Sequence, residues 1–284
     1  FDIFDTLIGR SCHPELVKHR WAHRIAEDYG LMITGEALYG IRNGLESTLG
    51  AEAAEQGHDA EFRLEELYRR LYPVLREYGL DAERVNEERF TSVCRELELG
   101  LESMVQHRHE DGVELLRCVA ERGLPIVYVS DFYLSPEDLR SILGYHGLLE
   151  YPQAIFLSSE RLRTKRAGRL YEVVLAELGL APAQLLMVGD NPYSDREQAE
   201  ARGIRTLWID RNDIRKRDSE LLARALERGE LEAALSRIVR GGSKEGFEFP
   251  ELAGSLFLFT AELYRALRRD GVRHAFFLSR EGEP

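Results

Sequence analysis

The chain has 284 residues, 44% hydrophobic and 31% charged, so it is long enough to bury one large core or two smaller ones. Its formal net charge of −12 has the wrong sign for binding a nucleic-acid backbone over a broad face. The three cysteines, Cys12, Cys94 and Cys118, contain no CxxC pair and fit neither a disulfide framework nor a zinc site. We therefore exclude a disordered chain and expect a reducing, cytoplasmic location.

Both ends of the chain lie in or beside apolar, strand-like runs. Phe1–Phe4 has no initiator methionine before it, and a second apolar run ends just before Ser279. We therefore expect the sequence to be a piece of a longer protein with further domains. No apolar run reaches the roughly 18 residues that a membrane-spanning helix needs, so no transmembrane segment is predicted.

Residues 12–109 have helical spacing almost throughout. Trp21, Ile25 and Tyr29 recur four residues apart, which places them on one helical face. No strand pattern appears in this stretch. We therefore predict an all-helical insertion, with further helices over residues 61–78 and 81–104.

Beyond residue 110, short apolar runs alternate with helical segments. This alternation predicts a doubly wound, parallel α/β sheet. The apolar runs show little internal alternation, as expected for strands covered by helices on both faces. Strands are predicted over Phe1–Phe4 and over residues 124–129, 154–157, 185–188 and 206–209. Helices are predicted over residues 112–122, 136–145, 169–178, 194–202, 219–239 and 252–269, and a last strand over residues 275–278.

Polar residues follow each predicted strand. In open sheets of this type, ligands bind beyond the carboxyl ends of the strands. Carboxylates and hydroxyls at that edge would form a pocket suited to a hard cation and an anionic group. The segments at those ends are Asp2–Leu7, Ser130–Asp131, Ser158–Ser159 and Gly189–Asn191.

These segments resemble, in order, the four motifs of the haloacid dehalogenase superfamily. The first motif is matched by Asp2-Ile3-Phe4-Asp5-Thr6, and the second by the strand that ends in Ser130. Lys165 matches the lysine of the third motif best. The fourth motif is the most specific and is matched by Gly189-Asp190-Asn191-Pro192-Tyr193-Ser194-Asp195. The resemblance covers residues 1 to about 210.

The resemblance implies a role for each matched residue. Asp2 would be the nucleophile that forms an aspartyl phosphate. Lys165 would offset developing negative charge, while Thr6, Ser130 and Asp131 would contact the phosphorylated substrate. Mg²⁺ is the expected cofactor. We expect Asp2, the main-chain carbonyl of Phe4 and Asp190 to bind the ion, with Asp195 in a supporting position.

The first motif departs from the phosphatase pattern at one position. Phosphatases of the superfamily carry a second aspartate, which serves as acid and base, where this chain has Phe4. Such help is typically worth about 10²–10⁴ in rate. Asp5 either replaces this group or only caps the turn that follows the strand.

Three functions are compatible with these residues. We expect a Mg²⁺-dependent phosphatase or phosphotransferase acting on a small phosphorylated metabolite. A noncatalytic module that binds a phosphorylated ligand is the first alternative. A metal-independent haloacid dehalogenase is the second, because those enzymes also have an aromatic residue at the position of Phe4.

The resemblance also implies a division of the chain into three parts. Residues 1–11 and 110–210 would form a Rossmann-like core, and residues 12–109 a helical cap. Residues 211–284 would form a mainly helical extension that ends in an incomplete α/β unit. Arg10 lies near the hinge of the cap and is a candidate contact for an anionic substrate. Near its end the chain reads Phe277-Leu278-Ser279-Arg280-Glu281-Gly282. Through this segment the whole chain resembles a group of large bacterial haloacid dehalogenase-like proteins linked to surface polysaccharide biosynthesis, often fused to glycosyltransferase domains. This second resemblance suggests a sugar phosphate or a nucleotide sugar as the substrate.

Overall fold

The structure is a computed structural model that describes residues 1–225 together with Phe259, Leu263 and Leu267. Phe1–Leu222 forms one compact unit, and Ala223–Pro284 a second. The predicted helix over 219–239 is helical as far as residue 225. The rest of that helix and the predicted strand over 275–278 lie outside the described residues. Of the predicted helix over 252–269, only Phe259, Leu263 and Leu267 are described.

Two pairs of parallel strands form the centre of the first unit. Strand β3 (Val127–Ser130) pairs with β4 (Ala154–Leu157), and β5 (Leu186–Gly189) pairs with β6 (Arg205–Trp208). Helical segments alternate with these strands. They are α5 (Glu110–Glu121), α6 (Pro136–Tyr145), α7 (Ser158–Arg161), α8 (Arg169–Leu178) and α9 (Gln198–Glu200), with a 3₁₀ turn at Pro182–Gln184 and a π-helix at Pro192–Glu197. The predicted parallel α/β fold is confirmed.

Residues Phe1–Phe4 connect the two strand pairs without forming a regular strand, so the prediction of a strand there is corrected. The amide of Val129 donates to the carbonyl of Phe1 at 3.0 Å, and the amide of Asp2 donates to that of Val188 at 2.8 Å. The chain then turns back at once, because the amides of Leu7 and Ile8 both donate to the carbonyl of Ile3. The segment therefore lies between β3 and β5 but is too short to form a ladder.

Buried side chains lie on both faces of the central strands. Tyr128 belongs to a cluster that continues into the helical insertion through Trp21 and Tyr68. Its neighbour Val129 points the other way, into a cluster with Leu170 of α8. This two-sided burial is the physical reason for the continuous apolar strands in the sequence.

Four helices make up most of the insertion. They are α1 (Pro14–Asp28), α2 (Gly35–Glu55), α3 (Leu64–Glu77) and α4 (Glu87–Val105). The last begins later than the predicted start at residue 81, because the side chain of Asn86 accepts a hydrogen bond from the amide of Arg89 and caps its first turn. None of the helices in the described part of the chain is long and apolar enough to cross a membrane.

A short antiparallel ribbon, absent from the sequence prediction, joins the two ends of the insertion. Strand β1 (Ile8–Arg10) pairs with β2 (Gln106–Arg108). A strand of three residues is too short to give a recognisable alternation, and its partner lies nearly 100 residues away along the chain. The prediction of an all-helical insertion is wrong at this ribbon.

Candidate active site

A buried lysine joins two carboxylates beyond the central strands. The Nζ atom of Lys165 lies 2.5 Å from an oxygen of Asp2 and 2.7 Å from an oxygen of Asp195. Lys165 is only 3% exposed. Although burial opposes its charge, Asp195 and Asp2 raise the pKa of Lys165 well above its ordinary value. The lysine therefore places a positive charge directly beside Asp2.

Three buried carboxylates meet at this position. Asp2, Asp190 and Asp195 each offer one oxygen, and these oxygens lie within 4.8 Å of one another. The hydroxyl of Thr6 donates to Asp190 at 3.2 Å. Burial, followed by the charges of Asp5 and Asp195, raises the pKa of Asp190 to about 6. A donor set made only of oxygen atoms suits a hard cation such as Mg²⁺.

The approach of Asp195 to this cluster depends on Gly189 at the end of β5. A Cβ atom at Gly189 would lie 2.4 Å from a carboxylate oxygen of Asp195, so a side chain there would displace it. The amide of Asn191 donates to that same oxygen at 3.0 Å, while the other oxygen accepts from Lys165. Asp195 sits within the π-helix at 192–197 rather than in the α-helix predicted over 194–202. The wider turn carries the carboxylate back towards the strand end.

Asp131 fixes the loop that carries Lys165. One oxygen of Asp131 accepts from the amide of Lys165 at 2.7 Å, and the other accepts from the amide of Arg166 at 3.1 Å. Ser130, just before it, is buried at the end of β3. Asp131 therefore positions the lysine backbone, and contacts of Asp131 and Ser130 with a substrate stay a prediction.

Asp5 lies in a turn with a left-handed backbone, at φ +59°. Aspartate is among the few non-glycine residues that adopt this conformation readily. Within residues 1–225, no donor forms a hydrogen bond with the carboxylate of Asp5, so the turn is not capped by that side chain there. Its charge contributes to the raised pKa of Asp190.

The ring of Phe4 packs against a second aromatic ring and a buried arginine. Its ring centroid lies 4.1 Å from that of Phe132, and the guanidinium of Arg10 lies 4.5 Å from the same ring. Arg10 is itself buried and donates to Glu102 at 2.9 Å. Tyr133 donates to the other oxygen of Glu102 at 2.9 Å. Arg10 therefore already has a buried counter-ion, and its contact with an anionic substrate stays a prediction.

Sequence reasoning missed an arginine that contacts the cluster. Arg215 donates to a carboxylate oxygen of Asp190 at 2.5 Å and to its carbonyl oxygen at 2.7 Å. Arg211, one helical turn earlier, donates to Asp111 and to the backbone carbonyl of Asp5. The available signal was the pair of arginines four residues apart, directly after the last predicted strand of the core.

The chain is similar to known hydrolases in sequence and in fold. A family model described as haloacid dehalogenase-like hydrolase matches residues 1–203. Phosphoserine phosphatase from Thermus thermophilus is 33% identical over 99 residues, which are 35% of this chain and only 39% of that enzyme's length. A 2-haloacid dehalogenase from Pseudomonas syringae has a TM-score of 0.55 at 20% identity, over 74% of this chain and 84% of that one. The last likeness concerns the fold alone.

The family model covers well over half of the chain, including every residue of the carboxylate and lysine cluster. The fold agrees with it independently, because parallel strands bring those residues to one edge. The chain therefore belongs to the haloacid dehalogenase-like hydrolase family.

Proposed function

We propose that the chain is a Mg²⁺-dependent phosphatase or phosphotransferase that acts on a small phosphorylated molecule. The observation that carries this proposal is the contact of Lys165 with Asp2 and Asp195 in a buried site. The resemblance noted in the sequence favours a sugar phosphate or a nucleotide sugar as the substrate. We also propose that the chain is part of a longer protein with further domains, such as a glycosyltransferase.

Asp2 would act as the nucleophile. Its carboxylate would attack phosphorus, expel the leaving group and form an aspartyl phosphate, which water then hydrolyses or a second substrate takes up. Lys165 would offset negative charge on the phosphoryl oxygens, and the hydroxyls of Thr6 and Ser130 would donate to them. Thr6 and Lys165 are already oriented by hydrogen bonds to Asp190 and Asp2.

The donor set fits Mg²⁺. Asp2, Asp190 and Asp195 provide carboxylate oxygens that lie close together, and the carbonyl of Phe4 is the further ligand expected from the sequence. When bound, the ion would neutralise charge on the phosphoryl group and orient it for attack. Arg215 occupies one oxygen of Asp190 and would have to release or share it.

Asp5 is our candidate for the missing acid and base. Asp5→Asn keeps a residue that tolerates the left-handed backbone, so the turn should be preserved. We expect turnover of a phosphate ester to fall by about 10²-fold, with the denaturation midpoint unchanged. Steady-state kinetics and urea denaturation of the same preparation check this. Unchanged turnover at full stability would eliminate a catalytic role for Asp5.

One observation favours a second function, metal-independent displacement of halide from carbon. Phe4, which packs against Phe132, stands where the acid needed by a phosphate ester with a poor leaving group would be. A halide requires no protonation to leave. The retained carboxylate of Asp190 argues for the phosphate reaction, because a metal-independent reaction needs no metal ligand there.

A panel of phosphate esters and acyl phosphates, assayed with excess Mg²⁺ and with chelator, tests the proposal. We expect phosphate release with Mg²⁺ and a loss of at least about 10²-fold with chelator, with acyl phosphates the better substrates because they tolerate Phe4. Asp190→Asn should lose the dependence on Mg²⁺ together with the activity. Halide release from a short haloacid in chelator would instead favour the dehalogenase. Mg²⁺ binding without turnover of any substrate would favour a noncatalytic module.

A further inference from the structure

Two histidines and a glutamate meet between helices α1 and α2. His19 and His23 are four residues apart on α1 and therefore lie on one face of that helix. Glu36 lies in the first turn of α2. The Nε2 atoms of His19 and His23 lie 2.6 Å and 3.3 Å from the same carboxylate oxygen, Oε1 of Glu36. None of these residues belongs to the candidate active site.

The two imidazole rings are held in position by their surroundings. They stack on each other with centroids 4.7 Å apart, and the ring of Tyr39 packs edge-on against His19 at 5.3 Å. Gly35 allows the close approach of His23, because a Cβ atom at Gly35 would lie 2.4 Å from that ring. The start of α2 is therefore shaped around the histidine, and the Nε2 atoms are aimed at one point.

Each imidazole can present a lone pair at Nε2. In the neutral ring, the tautomer that carries its proton on Nδ1 leaves Nε2 as an acceptor. In that tautomer, the two Nε2 atoms and the carboxylate of Glu36 direct their lone pairs at a common centre. Neutral imidazole is the form of histidine that binds a metal ion.

We propose that His19, His23 and Glu36 form a binding site for Zn²⁺. Two imidazoles and one carboxylate are a donor set that proteins use for zinc, whereas Mg²⁺ prefers oxygen atoms alone. Metal–ligand distances near 2.0–2.1 Å in a tetrahedron require donor atoms about 3.3 Å apart. The 3.3 Å contact of His23 with Glu36 already has that spacing, and the 2.6 Å contact of His19 would lengthen by about 0.7 Å through a side-chain shift.

A bound ion would be accessible to solvent and would link two helices. The side chains of His19, Glu36 and His23 are 16%, 30% and 38% exposed, so the site can load from solvent in the folded protein. Because its ligands come from α1 and from the first turn of α2, the bound ion links the two helices. With three protein ligands, a fourth position remains for water or for a further donor.

Titration with Zn²⁺ alone as the probe tests this proposal. The experiment uses the full chain with excess Mg²⁺ and the Asp190→Asn variant as background, so that the carboxylate cluster does not compete. Competition with a chromophoric chelator measures the affinity. We expect one equivalent of bound Zn²⁺, weakened at least about 100-fold by His19→Ala, His23→Ala or Glu36→Gln, since even supporting residues of metal sites are worth about 10- to 100-fold.

The matched control is His107→Ala, because His107 also stands beside a second histidine, His109. It should leave the Zn²⁺ affinity unchanged. Glu36→Gln keeps an acceptor oxygen and should fold normally, as circular dichroism would verify. Replacing Zn²⁺ by Co²⁺ provides a spectrum, and His23→Cys should retain binding and add a thiolate charge-transfer band. Absence of a bound equivalent, or an affinity in all three ligand variants equal to that of the background chain without them, would overturn the proposal.

Discussion

Asp2→Asn should lower turnover of the best phosphate substrate by at least about 10³-fold without loss of structure. The amide cannot attack phosphorus, yet it has the shape of the carboxylate and can still accept a hydrogen bond from Lys165, which now donates to Asp2 at 2.5 Å. Single-turnover and steady-state kinetics with excess Mg²⁺ measure the effect. A phosphorylated adduct trapped on the unchanged chain should be missing from the variant.

The matched control for this experiment is Asp28→Asn. Asp28 lies near the end of α1, where it pairs with Arg24 at 3.3 Å on the surface, so its loss should change neither turnover nor stability measurably. If Asp2→Asn retains turnover within tenfold of the unchanged chain, the assignment of Asp2 as nucleophile is wrong.

Breaking the buried ion pair inside the helical insertion should cost about 3–5 kcal/mol of stability. Arg42 of α2 and Glu98 of α4 are both fully buried and form two hydrogen bonds, at 2.8 Å and 2.6 Å. Tyr68 also donates to Glu98, and the guanidinium lies 4.7 Å from the Trp21 ring. Arg42→Met would leave the carboxylate of Glu98 buried without a counter-ion, and Glu98→Ala would leave Arg42 with only its ion pair to Glu46. Urea denaturation followed by circular dichroism gives the free energy of unfolding.

Two further variants make this measurement specific. Glu52→Ala removes an exposed ion pair with Arg70, and we expect a change of no more than about 1 kcal/mol. The double variant Arg42→Met with Glu98→Leu removes both charges, so it should recover part of the stability that either single change loses. A loss from Glu98→Ala no larger than that from Glu52→Ala would contradict the prediction.

The strands beyond residue 110 were well predicted because they are short apolar runs in the sequence. Three of the four residues of β3 and of β5 are buried, and the predicted strand over 154–157 coincides with β4. The ends of the helices were predicted less accurately than the strands. Capping by the side chain of Asn86 delays α4, and the return of Asp195 to the strand end requires a π-turn.

The sequence alone predicted that Asp2, Thr6 and Asp190 lie together, since parallel strands bring residues beyond their carboxyl ends to one edge. The resemblance to the family motifs added Lys165 and Asp195 to this group. The tertiary structure then decided which side chains touch. It joined Arg215 to Asp190, paired Arg10 with Glu102, and brought His19 and His23 to Glu36. Such pairs depend on how helices pack, and hydrophobic periodicity specifies which face of a helix is buried but not which residue it meets there.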